Sequence, residues 1–163
     1  MYLVRLPRSL NRFAKVAVAL EVFLGIGALV GGGVLMVAPR GEIIPLPVSA
    51  LSGSPFDSYF VPGLILFSVL GLGPFAAALM GWATHPLAPF AAAIVGVALL
   101  IWLAVEIAIV GYTNTPPLQP FYLLLGAAIT LVAALWLAEV GPLRAIQLWS
   151  RTLSGRRVLV GGR

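Results

Sequence analysis

Glu106 is the one acidic residue in IWLAVEIAIVGY, residues 101–112, an otherwise apolar run. A carboxyl group set among such neighbours can bind a proton, accept hydrogen bonds or hold a cation, and its charged form is costly at membrane depth. Groups of matching chemistry border the neighbouring apolar runs. Asp57, Ser58 and Tyr59 precede one run, and Asn114 and Gln119 flank the start of another. Asp57, Tyr59, Glu106 and Gln119 are therefore the candidate polar cluster.

The other acidic residues offer less. Glu42 falls in the long loop after the first apolar run, where it is expected to be solvated, and Glu139 sits at a run boundary near Arg144, as an ordinary surface charge would. Glu21 follows Lys15 by six residues, which places it about 9 Å inside its own end of a spanning helix. Glu106 lies as deep from the opposite end, so in a core about 30 Å thick the two carboxyls are about 12 Å apart vertically. They cannot flank one bond, and a carboxylate dyad is excluded.

The chain has no cysteine and a single histidine, His85, in a turn before Pro86. Disulfides, thiol nucleophiles and a zinc site of clustered Cys and His ligands are excluded. No HExxH, GxSxG or P-loop pattern occurs, and no base is placed to activate a hydroxyl. The sequence thus assigns no catalytic residue, no metal ligand and no cofactor, and enzyme is the least supported class.

Composition sets the frame that must position the cluster. The chain is 61% hydrophobic and 9% charged, with a mean hydropathy of +1.07, whereas soluble domains are about a quarter charged. Four apolar segments are long enough to cross a bilayer, which takes about 20 residues. They cover about 14–37, 59–82, 88–112 and 118–138. The expected fold class is all-α: one polytopic membrane domain over residues 1–163, a bundle of four transmembrane helices with antiparallel neighbours. ATHPL and TNTPP are the short turns between spans two and three and spans three and four. The long loop, 38–58, contains prolines and glycines that oppose a continuous helix. Its apolar IIPLPVSAL is expected to fold down over the bundle end, with a short strand or half-turn.

Nine of the ten Lys and Arg residues lie before or at the very start of span one or after span four, and only Arg40 lies between spans. The basic-side rule then puts both termini in the cytoplasm and the long loop outside, in a multi-pass cell (inner) membrane protein. Tyr59, Phe60, Tyr112 and Tyr122 are expected in the outer aromatic belt, and Trp82, Trp136 and Trp149 in the inner one. Arg5, Arg8, Arg12 and Lys15 share one face of the N-terminal stretch. Arg144 and Arg151 belong to a second amphipathic stretch, 142–153, expected to lie along the cytoplasmic interface. All six are expected to contact anionic lipid headgroups. No aromatic–basic motif points to nucleic acid.

Small residues mark the expected packing faces: Gly27 and Gly31, flanked by Gly25, Gly32 and Gly33, in span one, Gly73, Ala77 and Gly81 in span two, and Gly126, Thr130, Ala134 and Ala138 in span four. Pro74 is expected to kink span two.

The stretch SPFDSYFVPGLILFSVLGLG, with WLAVEIAIVG and LQPFYLLLG, resembles small, uncharacterised four-span bacterial membrane proteins over residues 54–126. The resemblance implies no activity. It implies that the Ser-Pro-Phe entry, the span-three Glu and the Gln before span four belong to one feature at the outer end. Two functions are expected to compete. One is an accessory or structural protein packing against other membrane subunits or lipids, as a homo-oligomer or in a larger complex. The other is a small oligomeric transporter or channel component with a proton- or cation-sensitive site at Glu106.

Overall fold

The computed structural model describes residues 11–44, 46–112 and 117–160, with residues 152–160 described by backbone alone. The described chain is all-helical. Helix α1 is Arg12–Val37, α2 is Phe60–Trp82, α3 is Ala88–Val110 and α4 is Leu118–Val140; these four are long and apolar enough to cross a membrane. A fifth helix, α5, Pro142–Val160, follows directly after Gly141. It is longer than the expected 142–153, since no proline interrupts the chain there. Among the described elements it packs on α4 alone, and its Ala145 is buried.

The four long helices close a ring in chain order, α1 against α2, α2 against α3, α3 against α4 and α4 against α1. Their outward side chains are large and apolar, among them Leu79, Ile94, Leu124 and Leu131, while the interior is rich in alanine and glycine. Small interior residues are what helices need when lipid is as apolar as their own side chains and only close contact draws them together.

The tightest seam joins α1 to α2. A Cβ added at Gly32 would lie 2.7 Å from the carbonyl oxygen of Gly63 and 2.7 Å from the amide nitrogen of Phe67, so only glycine allows this approach. Gly25 meets Gly71 and Phe75 further along the same seam. Between α3 and α4, Gly96 abuts the backbone of Gly126 and Thr130. The expected Gly27–Gly31 pair is not the seam: Gly27 faces the Tyr122 hydroxyl, and Gly31 meets only the Leu66 side chain. Gly73 faces open space, and Ala134 and Ala138 are exposed while Ala133 is buried. A four-residue step overshoots the 3.6-residue turn by about 40°, so a long stripe of such steps winds off the interface.

Helix α2 is continuous, with π-helical turns over Leu66–Leu72 just before Pro74. Proline has no N–H to give and its ring crowds the carbonyl one turn back. The wider turns absorb both effects without breaking the span.

The loop from Ala38 to Tyr59 carries a 3-10 turn, Val48–Leu51, and Leu51 is buried. The Tyr59 amide donates to the Pro39 carbonyl at 2.8 Å and closes the loop at its base. At the other end of the bundle, Asn11 caps α1 by accepting from the Phe13 amide at 3.0 Å, and its own amide donates to Glu139 at 2.7 Å. Glu139 is therefore not simply a free surface charge beside Arg144: it ties the start of α1 to the end of α4. His85 helps start α3, its Nδ1 accepting from the Leu87 amide at 3.2 Å.

The glycine seam makes a direct test. Gly32→Ala should destabilise the bundle by about 1–3 kcal/mol, the usual cost of overpacking. Gly73→Ala, with room around it, should be neutral or gain up to about 1 kcal/mol from helix propensity. Denaturant titration in mixed micelles measures both; equal effects at the two sites would disprove the seam.

Candidate functional site: a cleft beneath the loop

The four cluster residues separate in the structure. Glu106, half-buried on α3, accepts a hydrogen bond at Oε1 from the Gln119 side-chain amide at 3.0 Å. The same Gln119 nitrogen donates to the Gly111 carbonyl at 3.1 Å. Gln119 lies in the first turn of α4 and is 3% exposed. One amide thus holds both the last turns of α3 and the glycine that ends it, where backbone carbonyls lack partners within the helix.

Tyr59 does not join this pair. It is 4% exposed, and its hydroxyl donates to the Pro47 carbonyl at 3.1 Å. It pins the loop rather than serving in an aromatic belt, and burial raises its phenol above the ordinary tyrosine range. Asp57 is exposed and has no partner among the described residues. Thr113 and Asn114 lie outside the described residues.

Glu106 and Tyr59 do share a cavity of about 500 Å³. It exists because α2 and α3 diverge. Gly73–Trp82 packs on α3 near the short turn that joins them, but Phe60–Ile65 at the far end does not reach α3. The loop covers the gap with Leu46, Leu51 and Phe56. The walls are apolar, and Val69, Ile101 and Val105 belong both to the lining and to the exposed exterior. The cleft therefore opens sideways, toward the surface that faces lipid in a membrane.

Of the residues expected at headgroups, Arg12, Lys15, Arg144 and Arg151 are exposed, and Arg12 lies 4.8 Å over the Phe13 ring. The Asn11–Glu139 contact brings the beginnings of α1 and α5 to one end of the bundle. Arg5 and Arg8 lie outside the described residues. Of the belt aromatics, Trp82 is exposed, but Trp136 is buried among Ala14, Ala17, Ala88, Ala92 and Ala133. A ring at a helix end reads as interfacial from sequence; here the small side chains opposite leave a hole that only a large one fills.

Sequence reasoning gave Glu21 a depth but no role. It is 1% exposed, on the buried stripe of α1 between Ala17 and Leu24, and its Oε1 has no hydrogen-bond partner. An orphaned polar atom in an apolar core is unfavourable by about 1–3 kcal/mol. The depth estimate could not reveal this, because burial depends on which face meets the neighbouring helices.

Among known protein families, curated proteins and solved structures, no match to this chain is found.

Two substitutions should move stability in opposite directions. Glu106→Leu leaves the Gln119 amide one partner short and should lose about 0.6–2 kcal/mol, while Glu106→Gln keeps an acceptor and should be nearly silent. Glu21→Leu removes an unsatisfied group at similar volume and should gain about 1–3 kcal/mol. Micellar unfolding of the three variants decides; a destabilised Glu21→Leu protein would show that the carboxyl contributes favourable contacts.

Proposed function

We propose that this protein is a non-enzymatic membrane accessory protein that holds the chain of a lipid-like molecule in the cleft between α2 and α3. The carrying observation is the laterally open, apolar cavity of about 500 Å³, within the range of about 300–1,000 Å³ typical of small-molecule pockets. In a bilayer such a gap would not stay empty: its exposed walls adjoin acyl chains, and an unfilled void forfeits dispersion contacts along its whole lining. The loop closes the top of the cleft and gives a bound chain a definite end.

The topology belongs to the same reading. Both termini are cytoplasmic, neighbouring helices run antiparallel, and the loop and cleft lie in the outer half of a cell membrane. The order of contacts supports the antiparallel arrangement, since Gly32 meets Gly63 while Gly25, earlier in α1, meets Gly71, later in α2. The excess of basic residues beyond the ends of the bundle supports the orientation. The exposed apolar residues Leu143, Ile146 and Trp149 of α5, beside Arg144 and Arg151, support its lying along the cytoplasmic interface.

Two measurements test this proposal. The chain has no cysteine, so Ser52→Cys and Ser150→Cys provide clean single labels. An impermeant maleimide added to intact cells should modify the first and not the second; the reverse pattern would invert the topology. Ala98 lines the cleft, and Ala98→Phe should fill it. The variant should fold and retain less copurifying lipid, read by mass spectrometry in mild detergent; unchanged retention would rule out the cleft as the lipid site.

A further inference from the structure

The side chains around the cleft specify more than an apolar tail. Its lining consists of 17 residues, and none of them is Lys, Arg or His. Glu106 is the one carboxylic acid side chain there. Its Oε1 takes the Gln119 amide, and no described residue donates to Oε2. The Tyr59 hydroxyl has given its hydrogen to the Pro47 carbonyl, so toward the cleft it can only accept. Apart from the Tyr59 hydroxyl, the Trp102 indole is the single side-chain donor in the lining. Trp102 and Glu106 are four residues apart on α3, hence neighbours on one helix face. Phe56 of the loop and Tyr59 at the start of α2 add two more aromatic rings to the lining.

A carboxylate in a cleft that also holds aromatic rings and a hydrogen-bond acceptor, with no cation in the lining, complements a positively charged donor. Such a cation gains a charge-assisted hydrogen bond and attraction to the ring faces. A phosphate or carboxylate head would meet Glu106 as a like charge with no cation among the lining residues to offset it.

We infer that the occupant of the cleft is a long-chain amphiphile with a primary ammonium head, the nitrogen donating to Glu106 beside Trp102 and the chain lying along Val69, Ile101 and Val105. This rests on the cleft's holding a lipid-like chain, as proposed above, and adds the chemistry of the head. Gln119 then acts as a positioning residue: by occupying Oε1 it leaves Oε2 for the ligand.

Trp102 supplies the readout. The protein is placed in phosphatidylcholine vesicles, and brominated stearylamine, stearyl alcohol and stearic acid are titrated separately. Bromine quenches indole on contact, and the signal lost in Trp102→Phe isolates the cleft from the other tryptophans. The amine should quench Trp102 at about tenfold lower mole fraction than the alcohol, because both can donate to the carboxylate but only the ammonium adds an opposite charge, and the acid should be weakest. In Glu106→Gln, which keeps the fold, the amine should lose its advantage and fall to the level of the alcohol. Equal quenching by amine and alcohol in the wild-type protein would overturn the inference, as would an amine preference that survives Glu106→Gln and so reflects general surface charge. Those outcomes leave the chain-binding proposal standing. If no probe quenches Trp102, or if Ala98→Phe leaves quenching by all three unchanged, chain binding in the cleft fails and the head chemistry with it.

Discussion

Backbone touches backbone where Gly32 meets Gly63, and the rest of the bundle is arranged around that contact. Helices whose every side chain is as apolar as lipid gain little by burying one face, so they are held where they can approach most closely. Glycine at these two positions draws α1 and α2 together near the loop. The short turn after α2 fixes the other end of that helix against α3. Held along its whole length by α1 but by α3 mainly near the short turn, α2 leaves a wedge between itself and α3. The loop residues Leu46, Leu51 and Phe56 cover that wedge only in part. The cleft is thus a consequence of the seam, and the π-helical turns before Pro74 lie in the part of α2 that lines it.

The polar residues follow a different rule. Lipid supplies no partners, so each buried polar group must find one inside the protein. Gln119 meets this demand by joining Glu106 and the end of α3 with one amide. Tyr59 meets it through the Pro47 carbonyl and in doing so holds the loop over the cleft. Glu21 does not meet it: its Oε1 has no partner although the residue is almost fully enclosed. Stability alone does not favour such a residue, and it stands apart from the cleft, toward the opposite end of α1.

Some features were legible before any coordinates. Four apolar runs of spanning length, separated by Pro- and Gly-rich turns, become four helices within a few residues of the expected bounds. The loop over 38–58 is non-helical apart from one 3-10 turn, as its prolines dictate. Glu106 and Gln119 could be paired on paper because both stand close to one short turn, so the connection alone limits how far apart they can be.

Which face of each helix points inward could not be read in that way. In a water-soluble helix the polar face marks the outside, but here both faces are apolar and the pattern carries no direction. The sequence could therefore offer Gly27 and Gly31 as readily as Gly25 and Gly32, and could place Trp136 at an interface instead of in the core. Chain length and hydropathy determined that there are four helices of spanning length, where they turn, and that two carboxyl groups, Glu21 and Glu106, fall well inside them. Only the packing of α1 on α2 and of α3 on α4 decided which glycines touch, which carboxyl is enclosed without a partner, and where the helices part to leave a cleft. Those outcomes depend on contacts between residues far apart in the chain, and a run of uniformly apolar side chains does not encode them locally.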